Sequence, residues 1–191
     1  MITKTSWKDW HTPISRGDVT LTEAHSSLKA LGAKPQQIPL MVQLVENPKY
    51  AIPGLDPFHG RVDLHMHDII HIILGRGLLA EDEAFVIGFT MGSTNRVTTT
   101  EERLYSLVSK YLYPKVYRFT DDCIRIFKDA TKLAYISDST RLDEVDFDAY
   151  MDWTLDDLRD AIHLEHDLLM AYYKIEHRRF PNLKGSARLL D

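Results

Sequence analysis

The sequence predicts an all-α, single-domain bundle of about six helices. The chain has 191 residues, of which 44% are hydrophobic, so it is long enough to bury one core. Apolar residues recur three and four positions apart through most of it, which is the spacing of one helix face. Turn-forming residues mark loops at 51–61, 93–99 and 137–153. We expect an irregular arm at 1–17, a helical domain at 18–181 and a flexible tail at 182–191.

Two helices are expected before residue 50. Asp18 can accept hydrogen bonds at a helix start and Gly32 suits the position after a helix end, so the first helix is expected between them. A second, short helix is expected between Pro39 and Pro48.

The most apolar segment, 62–74, predicts a buried helix. It is apolar almost all round, and it is long for a single strand. The Gly-Arg-Gly turn at 75–77 ends it, and a further helix is expected at 78–91. Gly88 and Gly92 lie four positions apart, a spacing that allows a close contact between helices.

Two long helical segments are expected in the second half of the chain. Thr99 followed by Glu102 has the form of a capping box, and it begins a segment that reaches the loop at 137–153. Pro114 is expected to kink or split this segment. The last helix is expected at 155–180.

Composition and charge exclude several classes of protein. The formal net charge is −5 and the pI is about 6.0, so no broad nucleic-acid-binding surface is expected. A single cysteine, Cys123, excludes a disulfide framework and a cysteine-rich zinc module. The first residues lack the apolar core of a secretory signal, and no apolar run is long enough for a membrane span. We therefore expect a soluble cytoplasmic protein.

Four residues with metal-binding side chains flank the turn at 75–77. His67 and His71 are four positions apart and point to the same side of a helix, and Asp68 lies about 100° round from His67. Because the chain reverses at the turn, Glu83 on the returning helix can reach the same point. Two imidazoles and two carboxylates suit Zn²⁺ or another divalent first-row metal. The sequence therefore predicts a metal site formed by His67, Asp68, His71 and Glu83.

A second cluster of ionisable residues, Asp160, His163, His166 and Asp167, falls on the predicted last helix. Asp160, His163 and Asp167 share one face of that helix. They would complete a dinuclear centre if this face lay opposite the first site. A solvated charged face is the favoured interpretation.

The pattern HDxxH, eleven residues and Glu resembles the metal-binding signature of the coenzyme Q (ubiquinone) biosynthesis family called protein four. His67, Asp68, His71 and Glu83 match it residue for residue, and Ile73-Leu74-Gly75 stands where that family tends to have Leu-Leu-Gly. The resemblance covers about residues 60 to 90. It implies an all-α protein that holds a divalent ion, usually zinc, with those four residues.

The resemblance also implies a lipid substrate and several partners. It implies work on polyprenylated benzoquinone precursors, at the ring carbon that carries the carboxylate, by a metal-dependent lyase or oxidative decarboxylase. It further implies docking with other quinone-pathway proteins at the inner face of a membrane, and a second copy of the chain is a further candidate partner. Apolar residues beside the site, above all Ile70, Phe85 and Phe89, are candidates for lining a lipid-tail channel, although ordinary core packing is the more frequent role of such residues.

Two alternative functions remain open. HD-type metal-dependent phosphohydrolases also carry a His-Asp doublet, together with a further histidine and a distant aspartate. In this chain the candidates for those two positions are His25 or His59 and Asp121, Asp122 or Asp160. The other alternative is a non-catalytic prenyl-lipid-binding protein, since four protein ligands would close a structural zinc site.

Overall fold

The computed structural model describes residues 6–31, 58–113 and 118–190 and shows the all-α, single-domain fold that the sequence predicts. Its α-helices are α1 (Leu21–Lys29), α2 (Leu64–Ile73), α3 (Ala80–Ser93), α4 (Thr99–Leu107), α5 (Asp121–Ile136), α6 (Leu155–Ala161), α7 (His166–Arg179) and α8 (Lys184–Ala187). A π-helical turn, Val108–Leu112, continues α4. The only extended pairing in these ranges is an isolated bridge between Thr20 and Thr154. The predicted helix between Pro39 and Pro48, most of the 51–61 loop and the kink at Pro114 lie outside the described residues.

Two helices begin at a different residue from the one predicted. Helix α1 begins after Thr20, whose hydroxyl accepts the N–H of Glu23 at 3.2 Å while the Glu23 carboxylate accepts the N–H of Thr20 at 3.0 Å. Asp18 accepts a hydrogen bond from Arg16 instead. Helix α4 has the same reciprocal cap one residue earlier than expected, at Thr98 with Glu101 in place of Thr99 with Glu102. Each of these caps satisfies two N–H groups that a helix start leaves unpaired.

Helices α2 and α3 contribute many of the buried apolar residues of the core. Asp63 caps α2 by accepting the N–H of Met66 at 2.9 Å, and the helix buries Ile69, Ile70, Ile72 and Ile73. Gly75 then takes a left-handed conformation with φ 67°, and the N–H of Arg76 donates to the carbonyl of His71 at 2.8 Å. This is a Schellman motif, and it ends α2 at the predicted turn.

Helices α3 and α5 lie unusually close together. A Cβ on Gly88 would stand 2.4 Å from the carbonyl oxygen of Phe127, and one on Gly92 would stand 2.3 Å from that of Thr131. The two glycines therefore allow backbone-to-backbone packing, as their spacing predicted.

The predicted single helix at 155–180 is wrong, because the chain breaks it into α6 and α7. His163 has a φ of 55°, and the N–H of Leu164 donates to the carbonyl of Arg159 at 2.8 Å. These contacts are those of a Schellman motif, here with histidine at the left-handed position that glycine usually occupies.

The C-terminal residues are folded onto the domain, where the sequence suggested a flexible tail. Helix α8 lies within the segment 182–191, and Gly185, Ser186 and Leu189 are buried. Among the described helices, none is both long enough and apolar enough to cross a lipid bilayer.

Candidate metal centre

Three of the four predicted ligands converge between α2 and α3. His67 and His71 project from the same side of α2, with ring centroids 4.7 Å apart, and Glu83 stands in the first turn of α3. One ligand atom from each residue lies within 4.8 Å of the other two. The carboxylate of Glu83 is 3.4 Å from Nε2 of His67 and, through its other oxygen, 3.4 Å from Nε2 of His71. The cluster can hold a metal ion.

The two imidazole nitrogens that face Glu83 lack hydrogen-bond partners. Nε2 of His67 and Nε2 of His71 are buried, and their distances to the carboxylate exceed those of a good hydrogen bond. A buried polar atom without a partner costs about 1–3 kcal/mol, so it is usually paired with another group. A cation between the three side chains would satisfy both nitrogens and the carboxylate, so these residues fit a divalent metal.

The protonation of the cluster follows from burial and from the shared carboxylate. Burial lowers the pKa of His67 to about 4, so this imidazole is neutral at pH 7. Burial also acts to lower the pKa of His71, but the charge of Glu83 and its contact outweigh that effect and raise it. Burial acts to raise the pKa of Glu83, but His71 and His67 outweigh it and lower that pKa. Glu83 is therefore a carboxylate at neutral pH, which is the form that binds a cation.

The cluster is closed on one side and open on the other. The side chain of His71 is 1% exposed, whereas those of His67 and Glu83 are 16% and 26% exposed. The core therefore closes the side of His71, and only the outer parts of the His67 and Glu83 side chains reach the surface.

Asp68, the fourth predicted ligand, lies outside this three-residue group. It projects from α2 about 100° round from His67. Burial raises its pKa to about 6, and the nearby charge of His71 acts against that shift. Asp68 is thus beside the cluster and electrostatically coupled to it.

The three candidate lipid-lining residues, Ile70, Phe85 and Phe89, lie in the core. The ring of Phe85 packs against those of Phe89 and Tyr173, with centroids 5.9 and 5.4 Å away, and the guanidinium of Arg76 lies 3.7 Å from its centre. Their side chains thus have protein partners, and lipid binding by them stays a prediction.

The other candidate residues lie outside this cluster. His25 lies against His65, with ring centroids 5.0 Å apart, and His59 pairs with Glu101 at 2.7 Å. Asp160 lies on α6, and His166 and Asp167 lie on α7. His163 forms the turn between the two helices, and Asp160, His163 and His166 line one open surface pocket. Within the described ranges, no second group of histidine, cysteine and carboxylate side chains has its ligand atoms together.

Sequence reasoning missed two ion pairs next to the cluster. Arg76, at the end of α2, forms a fully buried bidentate pair with Glu176 of α7, with distances of 2.8 and 2.7 Å. Arg188, near the C-terminus, donates to Asp82, the neighbour of Glu83, at 2.5 Å. The acidic run at 81–83 was the one signal in the sequence, and nothing local identified its basic partner.

Comparisons of the chain with protein-family models, with curated proteins and with solved structures found no match.

Proposed function

We propose that this chain is a metal-dependent protein similar to those of coenzyme Q biosynthesis, and that it removes the carboxylate from ring carbon C1 of a polyprenylated benzoquinone precursor. The observation that carries the proposal is the convergence of His67, His71 and Glu83, which stand at the spacing of that family's signature.

Zinc is the ion that this set of ligands suits best. Two imidazoles and one carboxylate are the protein ligands of several catalytic zinc sites, whereas structural zinc sites usually have four protein ligands. With Asp68 outside the group, three protein ligands leave a position for a substrate oxygen. This supports a catalytic role over a purely structural one. When bound, the metal would supply Lewis acidity that draws charge from a ring hydroxyl or carboxylate.

In this proposal, the residues of the chain bind the cation, orient it and exclude water from one side of it. His67 and His71 offer unpartnered nitrogens, and Glu83 supplies the negative charge that offsets a cation. The buried side of α2 excludes water behind His71. In the proposed reaction the bond between C1 and the carboxyl carbon breaks, CO₂ leaves and the electron pair stays on the ring. A proton is then added at C1, so the reaction needs no oxidant.

The phosphohydrolase alternative has less support from the described residues. Its distant aspartate would come from α5 or α6, and the metal-capable group contains no residue of either helix. Its additional histidine would be His25 or His59, and both of these contact residues outside the group.

We propose an anionic lipid surface as the partner of an exposed apolar stripe formed by Leu104, Leu107, Tyr111 and Leu112. These residues follow one side of α4 and its π-helical continuation, so they form a continuous surface. Two exposed bases, Arg103 and Arg118, stand at its ends. Lys110, beside Tyr111, pairs with the exposed Asp121. Basic residues beside an apolar helix face match the charge of an anionic membrane. The association with other quinone-pathway proteins remains a proposal based on the resemblance.

The proposed function is tested with His71→Ala. We expect the wild-type protein to purify with about one equivalent of zinc. We expect it to release labelled CO₂ from a prenylated 4-hydroxybenzoate that carries ¹³C in its carboxyl group. His71→Ala should lose both properties, because it removes the most buried of the three ligands. Zinc is measured by elemental analysis and CO₂ by mass spectrometry.

His25→Ala is the matched control, since His25 is an equally buried histidine outside the cluster. It should keep its zinc and its activity. Zinc retained by His71→Ala would contradict the metal site. If His71→Ala loses its zinc but the wild-type protein releases no CO₂, the metal site is supported and the proposed reaction is excluded.

A further inference from the structure

The first turn of α3, which carries Glu83, begins without a capping side chain. Leu79 stands at the N-cap position and has no side-chain oxygen to accept the free N–H groups of the turn. Asp82 supplies part of what is missing, because its carboxylate accepts the N–H of Leu79 at 3.1 Å. The start of α3, which carries Glu83, is therefore held in part by the contacts of Glu81 and Asp82.

Both of these neighbours are held by the C-terminal segment 184–188. The N–H of Gly185 donates to the carboxylate of Glu81 at 2.7 Å. Nη2 of Arg188 donates to the carboxylate of Asp82 at 2.5 Å, and the two side chains are almost fully buried. Charge-assisted hydrogen bonds in a buried setting are among the strongest contacts in a protein. They fix the residues on the N-terminal side of Glu83.

Arg188 also lies against the turn that connects the two ligand-bearing helices. A Cβ on Gly77 would stand 1.7 Å from Nη2 of Arg188, so only glycine leaves room for the guanidinium at this place. Nη1 of Arg188 donates to the carbonyl of Lys8 at 3.1 Å. The arginine thus connects the turn at 75–77 with the start of α3.

The same segment is tied to the end of α2. The hydroxyl of Ser186 donates to Glu176 at 2.8 Å, and Glu176 pairs with Arg76 in the buried bidentate contact. The N–H of Arg76 donates to the carbonyl of His71. A continuous series of contacts therefore runs from the segment 184–188 to both sides of the metal cluster.

We propose that the segment 184–188 is a positioning element that holds Glu83 at the correct distance from His67 and His71. Arg188 is its principal positioning residue. This inference rests on the proposed metal site. It implies that docking of the segment strengthens metal binding, and that metal binding strengthens docking by the same factor.

The first test measures zinc affinity by competition with a chelating dye. We expect Arg188→Gln to weaken zinc binding by about 10- to 100-fold, as is usual for residues that orient metal ligands. Gly77→Ala should weaken it too, because the added methyl would meet both the guanidinium of Arg188 and the carbonyl oxygen of Trp10. Arg188→Lys should recover part of the affinity. Arg179→Gln is the matched control, since Arg179 forms an exposed ion pair with Asp129 and should leave the affinity unchanged.

Two further measurements separate positioning from a general loss of stability. The absorption spectrum of the Co²⁺-loaded protein reports ligand geometry, and we expect it to change in Arg188→Gln and not in Arg179→Gln. In the wild-type protein, zinc should slow amide hydrogen exchange at Gly185, whose N–H donates to Glu81. This last measurement needs no variant to fold.

The outcomes distinguish this inference from the proposed function. Wild-type zinc affinity in Arg188→Gln, or exchange at Gly185 that is the same with and without zinc, would overturn the positioning role and leave the metal site intact. A wild-type protein that binds no zinc would overturn both.

Discussion

His67 and His71 lie one turn apart in α2, and their pKa values shift in opposite directions. Burial dominates at His67 and lowers its pKa to about 4. At His71 the charge of Glu83 outweighs burial and raises the pKa. A cation bound between these side chains would compete with a proton for the nitrogen of His71, because imidazole binds metal only in its neutral form. The shared carboxylate thus makes His71 the residue at which the two compete.

A single histidine at the end of α6 offers a test of backbone strain. His163 has a φ of 55°, a region that costs a residue with a Cβ roughly 1–2 kcal/mol and glycine much less. We therefore expect His163→Gly to raise the free energy of unfolding by about 1 kcal/mol. Urea denaturation measures the change.

The control for this prediction is His166→Gly, in the first turn of α7. Glycine has no conformational advantage there, so this variant should be no more stable than wild type. A loss of stability in His163→Gly would show that the imidazole makes contacts that outweigh the strain of its backbone.

The two left-handed turns show which residues a sequence makes predictable. Gly75 was expected to end a helix because glycine is the usual residue at such a position. His163 was not, because histidine carries no such preference and the apolar spacing continues past it. The convergence of His67, His71 and Glu83 was predictable from helix geometry and one turn. The exclusion of Asp68 from the group depends on where α3 lies relative to α2, which spacing along the chain does not specify.

At the scale of the element, the sequence predicted that a polar side chain caps α1 and α4, but the predicted capping residues were one or two positions away from the actual ones. Asp18 and Thr20 both have oxygens that can cap α1, and so do Thr98 and Thr99 for α4. The choice of Thr20 agrees with a tertiary contact, since Thr20 also forms the bridge with Thr154. Local sequence identifies the candidates for a cap, and contacts from distant parts of the chain select among them.

The contact between α3 and α5 makes Gly92 a sensitive position. Alanine normally stabilises a helix relative to glycine by about 1 kcal/mol. At Gly92 the added methyl would meet the carbonyl oxygen of Thr131, part of the backbone of α5, so the two helices must separate. We expect Gly92→Ala to lower the free energy of unfolding by about 1–3 kcal/mol, as for other overpacked cores.

Urea denaturation of Gly92→Ala and Gly88→Ala measures this cost. Ala171→Gly, at an exposed position in the middle of α7, reports helix propensity alone and serves as the control. A Gly92→Ala protein as stable as wild type would mean that α3 and α5 can move apart without loss of packing.

At the scale of the whole molecule, the fold class was predictable from the sequence, but the long-range contacts of the C-terminal segment were not. The all-α architecture follows from apolar spacing, which is a local property. The C-terminal segment was expected to be flexible because it is short and terminal. Its contacts with α3 join residues more than a hundred positions apart, and no local pattern signals such a pair. The residues that surround a site are therefore harder to predict than the residues that form it.

We predict that the whole molecule binds to a lipid surface through the exposed stripe on α4. We expect the wild-type protein to bind vesicles of phosphatidylcholine with phosphatidylglycerol more strongly than phosphatidylcholine alone, since each nearby base contributes about 1 kcal/mol on an anionic surface. Replacing both Leu107 and Tyr111 with serine should weaken binding at least about tenfold, because each loses more than 1 kcal/mol of apolar burial. The control replaces Tyr135 and Ile136 with serine. These two residues are at least as exposed as Leu107 and Tyr111 but lie at the end of α5, so the control should bind vesicles as wild type does. Vesicle flotation measures the bound fraction. Equal vesicle binding by wild type and both variants would contradict the assignment of the stripe to a lipid surface. If wild type is instead a dimer and only the variant at Leu107 and Tyr111 is a monomer, the stripe binds a second copy of the chain.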